Sequence, residues 1–260
     1  MRAFVKILPG FLALALLLGG CAGARLAFHP QGTPVDAEIP GGELSRYNAE
    51  LPQVRVNGEA FVPEIGEVDY GARVESGVGA RFDGFAGPMA KQVFAAACSD
   101  AGECEIYLPD EEILYRDGTR EFSGWFSALL GGRVPIEGRV VSAWKTGGGA
   151  EVLRLEDNSG RWQTVLIGVR GLPIEALYGE AGEKPNLKIA YSEYLKVGDS
   201  DYPGVISLSG ENGEERLRLK AKVVLSGPGK RPLSVKIKTP EDTKIDSGGE
   251  KLWEKLGIFR

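Results

Sequence analysis

The sequence predicts a mainly β protein of the α+β class, and three observations support this fold class. Several stretches after residue 50 alternate apolar and polar residues with a period of two, which is typical of antiparallel strands with one solvated face. Short turns rich in Gly, Asn and Asp separate these stretches. One stretch, Thr119 to Leu130, places its apolar residues at helical spacing instead. We therefore expect a large antiparallel sheet with few helices.

The N-terminal segment has the features of an export signal. Arg2 and Lys6 precede an apolar run over residues 7–18, which is too short to be a typical membrane-spanning helix. The run closes at Leu18-Gly19-Gly20-Cys21, and this pattern resembles the lipobox of bacterial lipoproteins. The resemblance implies that Cys21 is acylated and becomes the first mature residue. A plain signal peptide with an incidental cysteine, or a short membrane anchor, is the alternative.

The lipobox resemblance also implies a domain organisation and a cellular location. Residues 1–20 would be the signal peptide, residues 21–42 a Pro- and Gly-rich flexible tether, and residues 43–260 the folded domain. Ala22, rather than the aspartate that retains lipoproteins in the inner membrane, favours the outer membrane. We expect a monomer held there by its N-terminal lipid and facing the periplasm.

Composition argues against nucleic-acid binding and against catalysis. Removal of Arg2 and Lys6 with the signal peptide changes the formal net charge from −5 to −7, so the domain does not attract nucleic acid through its overall field. The single histidine, His29, lies in the predicted tether, which leaves histidine-based catalytic and metal sites without their essential residue. We expect no enzyme activity, no metal and no cofactor; an enzyme that uses two carboxylates is the alternative.

Two further cysteines flank a predicted hairpin turn. Cys98 and Cys104 stand on either side of residues 99–103, a polar loop between two apolar runs. Cysteines at the two bases of a hairpin face each other, and the periplasm oxidises such pairs. A disulfide is predicted, with two free thiols as the alternative.

The clearest alternation lies near the C-terminus. Leu217, Leu219 and Val223 fall on one predicted face of a strand, with a basic row on the other: Arg216, Arg218, Lys220 and Lys222. A solvated sheet face explains such a row. A docking patch for an acidic partner or anionic lipid is the alternative.

The predicted helix from Thr119 to Leu130 has a strongly apolar face and ends at Gly131-Gly132. A second helical turn is predicted over Glu250 to Leu256. Two packed sheets and one curved sheet closed over by helices both suit this content. The apolar face of the first helix favours the curved sheet.

The order of these elements resembles the LolA/LolB-like superfamily, whose members carry lipoproteins across the periplasm or receive them at the outer membrane. The resemblance rests on the strand, hairpin and strand over residues 93–115, the helix ending in residues 129–135, and the later strands that begin at residues 188–192 and 202–206. It implies a strongly curved antiparallel sheet, an unclosed barrel covered by one or a few short helices, around an apolar cavity for acyl chains.

The inward positions of such a fold give a candidate cavity lining. The residues concerned are Phe94, Phe122, Trp125, Phe126, Leu129, Trp162 and Leu219. Apolar area alone can hold a lipid chain. The alternative is that these side chains pack against one another as a dry core.

A loop with Gly and Pro, residues 82–90, carries Phe85 and Met89. In receptors of the superfamily an exposed apolar side chain on a protruding loop helps to deliver lipoproteins into the membrane. Phe85 and Met89 are therefore candidate membrane contacts; an ordinary connection with both side chains in the core is the alternative.

Together these features predict an outer-membrane lipoprotein that binds the acyl chains of client lipoproteins and aids their insertion, because a tethered protein cannot shuttle as the soluble carrier does. Its expected partners are acylated lipoproteins and a soluble periplasmic carrier. A lipoprotein that uses the same fold as a scaffold or envelope-assembly partner is the alternative.

Overall fold

The computed structural model describes residues 32–48, 53–63, 65–117, 120–227 and 229–246. Cys21, the predicted signal peptide, His29 and the predicted C-terminal turn lie outside them. The elements in chain order are β1 Thr33–Pro34, α1 Glu38–Asn48, β2 Val54–Val62, β3 Gly66–Glu75, β4 Gly79–Ala86, β5 Lys91–Ser99, β6 Cys104–Leu108, β7 Ile113–Asp117, α2 Arg120–Leu130, β8 Arg139–Lys145, β9 Glu151–Glu156, β10 Arg161–Ile167, β11 Pro173–Glu180, β12 Leu187–Ser192, β13 Leu195–Val197, β14 Ser200–Tyr202, β15 Val205–Gly210, β16 Glu215–Ser226 and β17 Lys244–Asp246.

One sheet of fifteen strands dominates the structure. Its order is β1-β8-β9-β10-β11-β12-β15-β16-β2-β3-β4-β5-β6-β7-β17, and every described pair is antiparallel except β7 with β17. The sheet curves strongly around α2 without closing, since β1 and β17 remain as edges. The prediction of an unclosed, helix-covered barrel is confirmed.

Ordered structure begins earlier than the sequence suggests. β1 pairs with β8, and α1 starts at Glu38, inside the predicted tether. The carboxylate of Asp36 accepts a hydrogen bond from the Glu38 N–H at 3.0 Å, which caps the helix. Pro40 occupies the first turn, where a helix loses nothing by the missing N–H. The tether prediction is therefore wrong for residues 33–42, because its Pro and Gly begin a helix.

Helix α2 matches its predicted bounds within a residue and ends as predicted at the two glycines. Gly132 has a φ of +68°, and the Arg133 N–H donates to the Ala128 carbonyl at 2.8 Å across this turn. A Cβ at Gly132 would lie 2.6 Å from Cδ of Pro203. Glycine is therefore required where α2 passes into the next segment.

One end of the barrel carries the turns between β2 and β3, β4 and β5, β6 and β7, and β15 and β16. The antiparallel register places them there. We call it the mouth end. The disulfide-bearing turn between β5 and β6 lies at the opposite end.

A bulge between Ala221 and Val223 corrects one sequence prediction. The extra residue reverses the alternation of β16, so Val223 is 47% exposed and Val224 packs against the core. The inward assignment of Val223 is wrong for this reason.

The C-terminal segment crosses the outer face of the sheet. The Ile237 N–H donates to a carboxylate oxygen of Glu105 at 2.8 Å, and the Ile237 side chain covers Ala95, Ala97 and Tyr107. This small cluster buries the apolar outer positions of β5 and β6.

Candidate functional site

An apolar cavity of about 90 Å³ lies between α2 and the inner face of the sheet near the mouth end. Of the seven predicted lining residues, six line it: Phe94, Phe122, Trp125, Phe126, Leu129 and Leu219. The other lining residues are Val62, Ile65, Phe82, Ala96, Ile106, Leu108, Leu130, Leu208, Arg216 and Leu217. All but Arg216 present apolar surface.

The rings of Phe82 and Phe94 line one wall of the cavity, and Tyr70 packs against Phe82. The ring centroids of Tyr70 and Phe82 are 5.1 Å apart, and those of Phe82 and Phe94 are 5.0 Å apart. A Cβ at Gly84 would lie 2.3 Å from Cε1 of Phe94. The ring of Phe94 therefore packs directly against the backbone of β4 at Gly84, where a side chain would displace it.

Trp162, the seventh predicted residue, lies on the other face of the sheet. Its indole N–H donates to the Glu180 carbonyl at 2.7 Å, and the Arg154 guanidinium lies 4.3 Å from its ring centroid. The next residue, Gln163, points inward instead and is fully buried. The cavity assignment of Trp162 is wrong because β10 turns a glutamine, not the tryptophan, toward the core.

The segment after α2 is held by side-chain hydrogen bonds and is buried over residues 130–135. We call residues 130–137 with their donors the clamp. The carbonyls of Leu130, Gly132, Arg133, Val134 and Pro135 accept from Tyr202, Tyr47, Tyr191, Asn48 and Tyr178 respectively, at 2.6–3.4 Å. Gln163 donates to Pro135 O at 2.7 Å and accepts from the Glu137 N–H at 3.1 Å.

Burial raises the pKa of Tyr178, Tyr191 and Tyr202 well above its usual value, which opposes ionisation of these clamp tyrosines. Each therefore remains a hydroxyl donor at neutral pH. The clamp fixes the C-terminal end of α2 relative to the sheet.

The candidate membrane loop is a hairpin turn at the mouth end. Met89 is 92% exposed at its tip, between β4 and β5. Phe85 is half-buried on the outer face, where Gln92 is its cross-strand partner. Neither side chain belongs to the inner core.

Cys98 and Cys104 are cross-strand partners joined by a disulfide, with Cα atoms 4.1 Å apart. Both are buried on the inner face. Ser123 of α2 donates to the carbonyl of Ser99, beside the disulfide. The bonded turn thus supports α2 at the end opposite the mouth.

Two of the four residues in the predicted basic row, Arg218 and Lys222, form ion pairs on the outer face. Lys222 lies 2.7 Å from Glu59, and Arg218 lies 3.7 Å from Glu67 and 3.4 Å from Glu215. These contacts favour the solvated-face explanation over a docking patch. Arg216 departs from the row, because it lines the cavity.

Sequence reasoning missed Gln163 and Arg216. A glutamine in an apolar strand was a signal for an inward polar contact, but its partner lies 28 residues away in an irregular segment. Arg216 was masked by its regular spacing within the basic row.

Among the described residues, no helix reaches the length and apolar character needed to cross a bilayer. The same residues contain no group of three or more His, Cys, Asp or Glu side chains arranged to hold a metal ion.

Comparison with known proteins rests on structure alone. No protein-family profile matches the sequence, and no curated protein matches it. A LolA superfamily protein from Nitrosomonas europaea superposes with a TM-score of 0.51 at 10% identity, over 76% of this chain and 96% of that one.

The chain has a LolA-like fold.

A second match is a structure from Vibrio parahaemolyticus that is named for an outer membrane lipoprotein-sorting protein domain. It has a TM-score of 0.50 and 13% identity, over 75% of this chain and 95% of that one. Both matches span nearly the whole of the other chain.

Proposed function

We propose that this protein is an outer-membrane lipoprotein that binds acyl chains of client lipoproteins in its apolar cavity and aids their insertion into the membrane, without catalysis. The observation that carries the proposal is the cavity itself, whose lining is apolar except for Arg216. Acyl chains need apolar area and no directional polar partner. The LolA-like fold supports the proposal, since one similar structure is named for lipoprotein sorting.

Acyl binding requires the cavity to enlarge. A volume of about 90 Å³ is far below the roughly 300–1,000 Å³ of ordinary ligand pockets. Phe126 and Leu217 are only partly buried at the cavity wall, so outward movement of these side chains and of α2 against the sheet would open it. The clamp would hold the C-terminal end of α2 during that movement.

Membrane delivery would use the mouth end. Met89 lies at the same end of the barrel as the cavity opening and presents a flexible apolar side chain to solvent. The proposed lipid on Cys21 would keep the domain close to the bilayer, and a soluble periplasmic carrier would supply the clients.

The test is transfer of a radiolabelled acylated lipoprotein from a soluble carrier to outer-membrane vesicles that contain the lipidated full chain. We expect Met89→Glu to slow membrane insertion by about tenfold, because a charge at the tip opposes entry into lipid. Val78→Glu is the matched control, since Val78 is 39% exposed on a turn at the opposite end. Equal transfer by Met89→Glu and the unaltered chain would remove the loop from the mechanism. Absence of transfer by the unaltered chain would refute the receptor function.

A scaffold or envelope-assembly role is the second candidate, and the small cavity favours it. A core that is nearly filled needs no ligand. Failure of acyl chains to bind under any condition would select this role.

A further inference from the structure

We propose that Arg216 receives the polar end of the acyl ligand, so that the cavity prefers acyl chains that end in an anionic group. This inference rests on the proposed acyl-binding function and adds lipids with a free oxyanion to its ligands, since the acyl chains of a lipoprotein end in neutral esters and an amide. The relevant chemistry is an oxyanion on an acyl chain, which both a fatty-acid carboxylate and a phospholipid phosphate offer.

A β-bulge places Arg216 at the cavity. Leu208 pairs with Leu217 and Ser209 pairs with Glu215, so Arg216 is an extra residue between two regular pairs. Its side chain is 18% exposed, whereas that of Arg218, two residues on, is 43% exposed and lies among acids of the outer face. The bulge therefore separates Arg216 from the basic row and turns it toward the apolar lining.

The position of Arg216 suits a ligand head group. It lies at the start of β16, at the mouth end, with the apolar residues Val62, Ile65 and Leu217 around it. An acyl chain that lies along Phe94 and Leu219 would therefore leave its polar end beside a guanidinium. A charged hydrogen bond at such a boundary is stronger than a neutral one.

In the structure, the guanidinium of Arg216 forms an ion pair with a carboxylate of the same chain. Glu214 Oε1 lies 3.1 Å from Arg216 Nη2, and the Glu214 side chain is 48% exposed. The pair lies against Gly210, where a Cβ would come within 2.6 Å of Arg216 Nε and closer still to the carboxylate. The half-exposed carboxylate also accepts a hydrogen bond from the Asn212 N–H at 3.1 Å, so it keeps this partner and gains water when a ligand oxyanion takes its place on Arg216.

Competition binding tests this inference. The full chain carrying Cys21→Ala is loaded with the neutral fluorescent probe N-phenyl-1-naphthylamine, which is then displaced by palmitate, lysophosphatidylglycerol or neutral monopalmitoylglycerol. We expect Arg216→Gln to weaken binding of the anionic lipids about tenfold and to leave monopalmitoylglycerol unchanged. Arg216→Lys should retain part of the preference, and Glu214→Gln should strengthen binding of the anionic lipids.

Arg218→Gln is the matched control, because it removes the same charge from the outer face of the same strand. Equal weakening by Arg218→Gln, or binding of both palmitate and lysophosphatidylglycerol unchanged in Arg216→Gln, would overturn the inference while leaving acyl binding intact. A loss confined to palmitate or to lysophosphatidylglycerol would identify the carboxylate or the phosphate as the group recognised. Failure of all three lipids to displace the probe from the chain with Arg216 intact would refute the proposed function and this inference with it.

Discussion

The two halves of the barrel interior are packed by different kinds of contact. Under β9 to β12, the clamp buries an irregular segment by pairing its carbonyls with tyrosine, asparagine and glutamine donors. Under β2, β4 to β6, β15 and β16, the cavity wall is made mainly of aromatic and aliphatic side chains that meet α2 without such pairing. Hydrogen bonds fix one geometry, whereas apolar contacts permit several.

This difference indicates which half of the barrel interior can rearrange its packing. A buried carbonyl that loses its donor is costly, so the clamped half should hold a single arrangement. Apolar side chains that separate around an acyl chain exchange one apolar neighbour for another, so the cavity half can open at little cost. Rigid support on one side and adaptable surface on the other suit a protein that admits and releases lipid.

The largest expected effect comes from breaking the clamp. Gln163→Leu leaves the Glu137 N–H unpaired and removes one of the two donors to Pro135 O, so the free energy of unfolding should fall by about 2–3 kcal/mol in urea denaturation. Gln92→Leu is the control, because Gln92 donates to Asp83 at 2.9 Å on the partly exposed outer face. If Gln163→Leu lowers the free energy of unfolding no more than Gln92→Leu does, the clamp does not fix the half of the barrel interior under β9 to β12.

Removal of the disulfide should have the next largest effect. The bond closes a short loop, with a sequence separation of 6, so replacing Cys98 and Cys104 together with Ala should lower the free energy of unfolding by about 2 kcal/mol. Thermal unfolding of the double variant, compared with the oxidised parent, measures this change. Unaltered stability would mean that α2 needs no support from this turn.

The smallest effect is expected at the cavity wall. Phe126→Leu should lower the free energy of unfolding by about 1 kcal/mol, because this partly exposed side chain has neighbours that can relax around the change. Ile167→Val, a much smaller deletion at a position that is 1% exposed, should cost as much. A loss above about 3 kcal/mol for Phe126→Leu would show a cavity half as rigid as the clamped half.

Sequence periodicity was enough to predict the sheet, the bounds of α2 and most of the cavity lining, because these follow from local alternation and helical spacing. Trp162 was misplaced because the inward position of Gln163 depends on a carbonyl far along the chain. Arg216 and Val223 were misassigned because bulges are set by pairing with β15 and β2, which local alternation does not contain. The predicted tether failed because Pro and Gly serve both loops and helix starts.

The central claim is that acyl chains enter the cavity beneath α2. Photolabelling of the full chain with a diazirine-bearing palmitate, followed by peptide mass spectrometry, tests it most directly. We expect adducts on α2 and on the inner positions of β5 and β16, at residues such as Phe94, Phe126 and Leu219. Adducts confined to the outer face, near Trp162 or the C-terminal segment, would contradict the claim.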